Sequence, residues 1–183
     1  MRPSQEPELL KAIAVLQRAF PGQTMPADTV ALYAEMLADL PIDAVRAAVL
    51  AIIRQRRYPT LPTVGEIRLE AARLSLRAPS PAEAVEEVRQ QIRGVGLWGR
   101  PQFSHPLVAR AVEAADWRHL CMSEEPTRSM AEFRRLYEDL LETWTTRVQT
   151  EGASALDRLG LSALPEPTAG LPAPSRLRRE VRA

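Results

Sequence analysis

Cysteine is almost absent from this sequence, and long hydrophobic runs are absent altogether. The single cysteine, Cys121, cannot form an internal disulfide, and structural disulfides belong to oxidising compartments. No apolar stretch approaches the ~20 residues that span a bilayer. The amino terminus also lacks the charged, apolar and small segments of a signal peptide. Together these absences predict a soluble protein of the cytoplasm.

An excess of charge of one sign is also lacking. The 24 basic and 23 acidic residues leave a formal net charge of +1, so no global field draws the protein to nucleic acid or to an anionic membrane. Lys11 is the only lysine, and arginine supplies the remaining positive charge. Genomic base composition explains this bias as readily as phosphate binding does. Any electrostatic partner must therefore be bound by a local patch.

Motifs for nucleotide or metal chemistry are missing as well. The chain has no G-x-x-x-x-G-K-[ST] phosphate loop. Residues 94–99 match the letters of the dinucleotide motif G-x-G-x-x-G, but that motif requires a preceding strand and a following helix. Here a predicted helix precedes the glycines and a proline follows them. His105, His119 and Cys121 are too few and too unevenly spaced for a zinc site. We therefore predict a non-enzymatic protein with no catalytic residues, no metal and no cofactor.

Residues 1–78 are predicted to form a first module of four helices. Apolar residues recur there at intervals of three and four, and proline-containing breaks separate the stripes. The fourth helix should begin at Thr63, because Thr63 and Glu66 have the spacing of a capping box. Its predicted inward face consists of Ile67, Ala71 and Leu74. The short connections favour antiparallel neighbours.

Residues 79–150 are predicted to form a second module of three helices. Its first helix begins at Ser80, its second near Pro106, and its third extends from about Thr127 to Val148. No segment alternates with period two, so we expect an all-α fold without a sheet. Residues 151–183 are rich in small residues and proline, which predicts a disordered tail with at most a transient helix around residues 154–159.

A basic cluster marks the end of the third helix. Arginines at this end of a helix interact favourably with the helix dipole, by roughly 0.3 to 1 kcal/mol each, and this explanation requires no partner. The alternative is a patch for nucleic acid or a protein partner, in which the arginines contact phosphates or carboxylates and a tyrosine stacks on a base. The residues of this patch are Arg54, Arg56, Arg57, Tyr58 and Arg68.

Several loose motifs follow one another in a characteristic order between residues 8 and 145. In the first module they are Leu9 to Phe20 ending in Phe-Pro, Val30-x-x-Tyr33-x-x-x-Leu37-x-Asp39-Leu40, Val45-x-x-Ala48-Val49, Tyr58-Pro59 and Pro62-Thr63-Val64-Gly65-Glu66-Ile67. In the second they are Ser80-Pro81-x-Glu83-Ala84, Phe103-Ser104-His105-Pro106-Leu107, Ala115-x-Trp117 and Phe133-x-x-x-Tyr137. The first module resembles the helicase loader and inhibitor family of Bacillus phages, and the second resembles prophage relatives of that family.

The resemblance implies a non-enzymatic adaptor in a bacterial host cell. Loaders of this family have a helical amino-terminal domain and a mobile carboxy-terminal region that contacts the hexameric DnaB-type replicative helicase. They hold the helicase inactive until an origin-bound initiator protein releases it onto single-stranded DNA. The lack of a phosphate loop agrees with this family and differs from the ATPase loaders of bacterial chromosomes. The second helical module departs from the family pattern, so the helicase contact lies either in residues 80–150 or in the tail.

The tail supplies the predicted helicase contacts. Isolated leucines in a disordered segment can fold onto a groove of a partner with modest affinity and fast release. The residues are Leu159, Leu161, Leu164, Leu171, Arg176, Leu177, Arg178 and Arg179. A tail that only improves solubility is the structural alternative. Two other functions also remain open, namely direct DNA binding as a replication accessory or initiator through residues 54–57, and chaperoning of phage assembly.

Overall fold

The computed structural model describes residues 5–161, which fold into nine helices and contain no strand. The all-α fold predicted from the sequence is thus confirmed. None of the described helices is both long enough and apolar enough to cross a membrane. The first four helices are α1 (Glu6–Ala19), α2 (Ala27–Leu37), α3 (Ile42–Gln55) and α4 (Val64–Leu76).

These four helices begin and end at the predicted breaks. Pro26 and Pro41 cap the amino ends of α2 and α3 with the φ of about −60° that a proline ring imposes. At the start of α4 the predicted capping box is present. The Thr63 hydroxyl accepts from the Glu66 N–H at 3.3 Å, and the Glu66 carboxylate accepts from the Thr63 N–H at 2.6 Å. The buried face of α4 includes Ile67, but Leu74, predicted to face inward, is 38% exposed.

The second half of the chain contains two more helices than the three predicted. All five come after the end of α4, and Asp116, with a positive φ of 65°, separates the second of them from the third. The five helices are α5 (Pro81–Val95), α6 (Pro106–Ala115), α7 (Trp117–Met122), α8 (Pro126–Glu151) and α9 (Ala153–Leu159). The capping box of α5 is also formed, since Ser80 and Glu83 bond reciprocally. The carboxylate of Asp116 accepts from the Arg118 N–H at 3.0 Å, and so begins α7.

One hydrophobic core runs through both predicted modules. The long helix α8 packs against α4 of the first module and against α5 and α6 of the second. Fully buried Tyr137 of α8 donates its hydroxyl proton to the carbonyl oxygen of Pro79, at the boundary between the modules, over 2.6 Å. Burial raises the pKa of this phenol, with a smaller contribution from Glu87. Residues 1–78 and 79–150 therefore share a core instead of folding around separate ones.

The segment from residue 151 to 161 is ordered, so the prediction of a disordered tail starting at Glu151 is wrong for these residues. Gly152, with φ +61°, ends α8 and lets the chain turn into α9. The Ala153 N–H then donates to the Asp39 carbonyl oxygen at 2.8 Å. The segment buries four apolar side chains against the core, those of Ala155, Leu156, Leu159 and Leu161. The rest of the predicted tail, residues 162–183, lies outside the described residues.

Candidate partner-binding surface

The predicted basic patch lies where α3 ends and the chain turns toward α4. Arg56 is the C-cap of α3 and has an extended backbone conformation, with φ −73° and ψ 125°. Pro59 and Pro62 keep the connection from resuming a helix. The chain therefore turns a corner between the end of α3 and the start of α4. The five predicted patch residues have different surroundings, and Arg68 lies away from this corner.

Arg56 is engaged in a structural contact. Its guanidinium donates to the Glu66 carboxylate at 2.8 Å and to the Thr60 hydroxyl at 3.1 Å, and its side chain is only 19% exposed. The hydrogen bond from Arg56, followed by that from the Thr63 backbone N–H, lowers the pKa of Glu66. Arg56 therefore ties the end of α3 to the capping box of α4 instead of facing a partner.

Arg68 does not belong to the patch. Its guanidinium forms a two-point ion pair with the Asp39 carboxylate, at 2.6 and 2.8 Å, and its Nε donates to the Gln149 carbonyl oxygen at 2.7 Å. It also donates to the carbonyl oxygen of Met36. Acceptors from the end of α2 and from α8 thus surround the guanidinium and hold it away from the corner. The prediction that Arg68 strengthens the patch is wrong, since the side chain joins three distant segments.

Three of the predicted residues remain available to a partner. Arg54 and Arg57 are exposed, and Tyr58 is 75% exposed. Among the described residues, no carboxylate lies within ion-pair distance of either arginine. Leu50, one turn before Arg54 on α3, is 46% exposed and extends the surface. We call Leu50, Arg54, Arg57 and Tyr58 the α3 corner.

Leu50 is the residue of this surface that sequence reasoning missed. The buried side chains of α3 are Val45, Ala48 and Val49. Leu50 lies at the i+4 position from Arg46, and Arg54 lies at the i+4 position from Leu50. This spacing places the leucine on the basic face of the helix, and it is the signal from which the exposed position could have been inferred.

Two of the tail residues predicted to contact a helicase, Leu159 and Leu161, lie among the described residues. Leu159 and Leu161 are 4% and 8% exposed, because α9 packs against α8. As side chains of the core they are not available for a helicase, and their assignment as contacts is wrong. The other predicted residues lie outside the described residues; they are Leu164, Leu171, Arg176, Leu177, Arg178 and Arg179.

The glycine-rich stretch at residues 94–99 lies in the setting expected from the sequence. It begins in the last turn of α5 and continues into a loop. No strand precedes it and no helix opens within it, so this part of the chain lacks the strand–turn–helix geometry that places a pyrophosphate on a helix amino end.

Cys121 lines a cleft of about 220 Å³ between α5, α7 and α8, next to Ile92 and Met130. Burial raises the pKa of its thiol, which keeps it protonated and weakly nucleophilic near neutral pH.

Comparisons of this chain with models of protein families, with curated proteins and with solved structures find no match. The likeness to phage helicase loaders consequently rests on the order of the sequence motifs alone.

Proposed function

We propose that this protein is a non-enzymatic adaptor of phage or prophage DNA replication that binds a hexameric DnaB-type helicase. In this role it restrains the helicase and delivers it to origin DNA through an initiator protein. The observation that carries the proposal is the α3 corner, where a three-quarters exposed Tyr58 follows two exposed arginines that have no ion-pair partner among the described residues. The order of the sequence motifs identifies the class of partner.

The composition of the α3 corner suits a protein partner. Tyrosine and arginine are enriched among the residues that carry most of the binding energy in interfaces. An exposed leucine beside them, Leu50, adds apolar area that a partner can bury. The two exposed guanidinium groups are suited to carboxylates on a partner.

The α3 corner is also held in one conformation. The Arg56–Glu66 ion pair and the Thr63–Glu66 capping box connect the turn to the start of α4. The Leu61 N–H donates to the Gln23 side chain at 2.8 Å, which ties the turn to the α1–α2 connection as well. A surface that is already ordered loses less entropy when it binds a partner.

The test is co-elution with the cognate helicase in size-exclusion chromatography, together with the helicase ATPase rate. We expect a complex and a changed ATPase rate. Replacing Arg54, Arg57 and Tyr58 together by alanine should weaken the complex at least about tenfold, or about 1.4 kcal/mol. The matched control is Arg18→Ala with Arg135→Ala, two exposed arginines elsewhere, which should bind like the unaltered protein. Absence of co-elution together with an unchanged ATPase rate contradicts the proposal.

Direct DNA binding by the same surface is the second candidate function. Arg54 and Arg57 are exposed and could contact phosphates, and the exposed ring of Tyr58 could stack on a base. In that case the affinity for DNA should fall steeply with salt, and Arg54→Ala with Arg57→Ala should reduce the slope of log affinity against log salt by about 1 to 2. A helicase complex that is weakened by these changes, together with a DNA affinity that is insensitive to them, favours the adaptor.

A further inference from the structure

Trp98 is the most exposed large apolar side chain of residues 5–161. It lies in the turn between α5 and α6, and 86% of its surface faces solvent. The other two tryptophans, Trp117 and Trp144, are half-buried and buried. An indole in water contributes nothing to the core, so its flat apolar surface is available to a ligand.

The backbone of the turn that carries Trp98 is held in a defined conformation. Gly96 has φ +67°, which favours glycine. A Cβ on Gly99 would lie 2.3 Å from Cγ1 and 2.6 Å from the carbonyl oxygen of Val95, so the turn folds tightly onto the end of α5. The residues after the turn form hydrogen bonds with side chains of α5. The Gln102 N–H donates to the Gln91 side chain at 3.2 Å, and the Ser104 hydroxyl donates to the Glu87 carboxylate at 2.9 Å.

One guanidinium lies over the indole, and a second arginine is close to it in the sequence. The guanidinium carbon of Arg118, on α7, lies over the ring at 5.7 Å from its centroid, within the range of a cation–π contact. Arg100, two residues beyond Trp98, is exposed. Within the part of the chain that the structure describes, neither arginine has a carboxylate at ion-pair distance. One face of the ring is thus next to a cation and the rest is open.

We infer that Trp98, Arg100 and Arg118 bind single-stranded nucleic acid. A base stacks on the open face of the indole, and the two guanidinium groups contact the phosphates on either side of that base. Stacking on an aromatic ring beside arginines is the general means by which proteins bind single strands without reading their sequence. A duplex does not fit, because its bases are already stacked on one another.

The surroundings of Trp98 favour this ligand over an apolar protein surface. The neighbours of the indole in the turn, Leu97 and Gly99, are half-buried and offer little apolar area. The side chain that the structure places over the ring, Arg118, is a cation, whereas a protein anchor needs a contiguous apolar patch. Met122 is 65% exposed and lies one turn after Arg118 on α7. A protein partner would bury this methionine, whereas base stacking does not require it, and the two ligands are therefore distinguishable.

This inference goes beyond the proposed adaptor function, because none of its residues belongs to the α3 corner. The measurement is fluorescence anisotropy of a labelled oligothymidylate titrated with the full chain at low and moderate salt. Trp98→Ala should weaken binding by about 5- to 150-fold, the effect of removing one stacked base, while Trp98→Phe retains most of the affinity. Arg100→Ala and Arg118→Ala should each reduce the slope of log affinity against log salt by about 0.7.

Two controls separate this site from the alternatives. Arg54→Ala with Arg57→Ala, and Met122→Ala, should leave the affinity for the oligonucleotide unchanged. A Trp98→Ala protein that binds like the unaltered chain, or equal affinity for a duplex of the same length, overturns the inference. A loss of oligonucleotide affinity in Met122→Ala but not in Arg100→Ala also overturns it, because the arginine is then not a phosphate contact. The helicase complex is measured separately, so failure here leaves the adaptor proposal standing.

Discussion

His105 illustrates how one residue can serve both local and long-range structure. It is the N-cap of α6, and its Nδ1 accepts from the Leu107 N–H at 3.1 Å. Its Nε2 lies 2.8 Å from the Leu76 carbonyl oxygen at the end of α4. A carbonyl can only accept, so Nε2 carries the proton and the ring is neutral. Burial lowers the pKa of His105, opposed by the bond to Leu76 and by the nearby Glu87.

Stability should therefore depend on pH through His105. The contribution of the neutral ring is complete above about pH 6.5, where an unfolded histidine loses its proton, and it is lost as the pH falls toward the lowered pKa. His105→Asn keeps a cap acceptor and does not titrate. We expect the free energy of unfolding of this variant to vary less between about pH 6.5 and 5 than that of the unaltered protein.

Urea denaturation at a series of pH values measures this difference. His119→Asn, which removes an exposed imidazole, serves as the matched control. Glu66 and Glu83 have lowered pKa values, so their stabilising contributions are lost only below about pH 4.5 and fall outside this window. Equal slopes for His105→Asn and the unaltered protein would show that the buried ring is not the source of the pH dependence.

The junction between α8 and α9 shows how an element of marginal size becomes ordered. An isolated helix of seven residues is not stable in water, and α9 has that length. It is ordered because Gly152 brings the chain against Asp39, whose carbonyl oxygen accepts from Ala153. The Asp39 carboxylate meanwhile pairs with Arg68. The end of α2, the middle of α4 and the start of α9 are thus joined at one point.

Gly152→Ala should break this junction. The added Cβ would lie 2.4 Å from the Asp39 carboxylate and 2.5 Å from its carbonyl oxygen, at a φ of +61° that disfavours a side chain. Backbone strain and overpacking together predict a loss of about 2 to 5 kcal/mol. Gly160→Ala is the matched control, because its φ is +81° but nothing lies within 4 Å of the added Cβ.

The control isolates the cost of the left-handed backbone, which is about 1 to 2 kcal/mol. Chemical denaturation of both variants gives the comparison. If Gly152→Ala destabilises no more than Gly160→Ala, then the close approach to Asp39 does not hold α9 in place.

At the scale of the whole molecule, the core is continuous from α1 to α9. The predicted division into two modules follows the proline-rich link at residues 78–81, where a helix does end. Yet α8 returns to pack on α4, and Arg68 of α4 donates to the Gln149 carbonyl oxygen of α8. Such a core should unfold in one cooperative step.

Ile67→Ala tests this cooperativity. Ile67 is fully buried in α4, and its truncation should cost about 2 to 5 kcal/mol. All three tryptophans lie between residues 98 and 144, so their fluorescence reports on the second half of the chain. We expect the substitution in the first half to shift the fluorescence transition and the circular dichroism transition to the same lower denaturant concentration.

Leu74→Ala on the same helix is the control and should cost about 1 kcal/mol or less, because Leu74 is partly exposed. A fluorescence transition that does not move in Ile67→Ala, while circular dichroism shows a second, earlier one, would mean that the two halves unfold independently.

The sequence by itself determined the features that depend on residues close together in the chain. Helical periodicity and capping boxes involve positions three or four apart, so the all-α class and the starts of α4 and α5 were predictable from Thr63, Glu66, Ser80 and Glu83. The exposure of Tyr58 was also foreseeable, since it lies between a helix end and a proline.

Only the tertiary structure decided which residues stay exposed among those that look alike in the sequence. Arg57 and Arg68 are alike in sequence, but Arg68 meets Asp39, 29 residues away, and Gln149, 81 residues away, and is withdrawn from the surface. Leu159 and Leu161 resemble the leucines of a disordered tail, yet the surface of α8 buries them. Local patterns carry no information about such distant partners, because these contacts form only when the chain closes its long loops and brings the helices together.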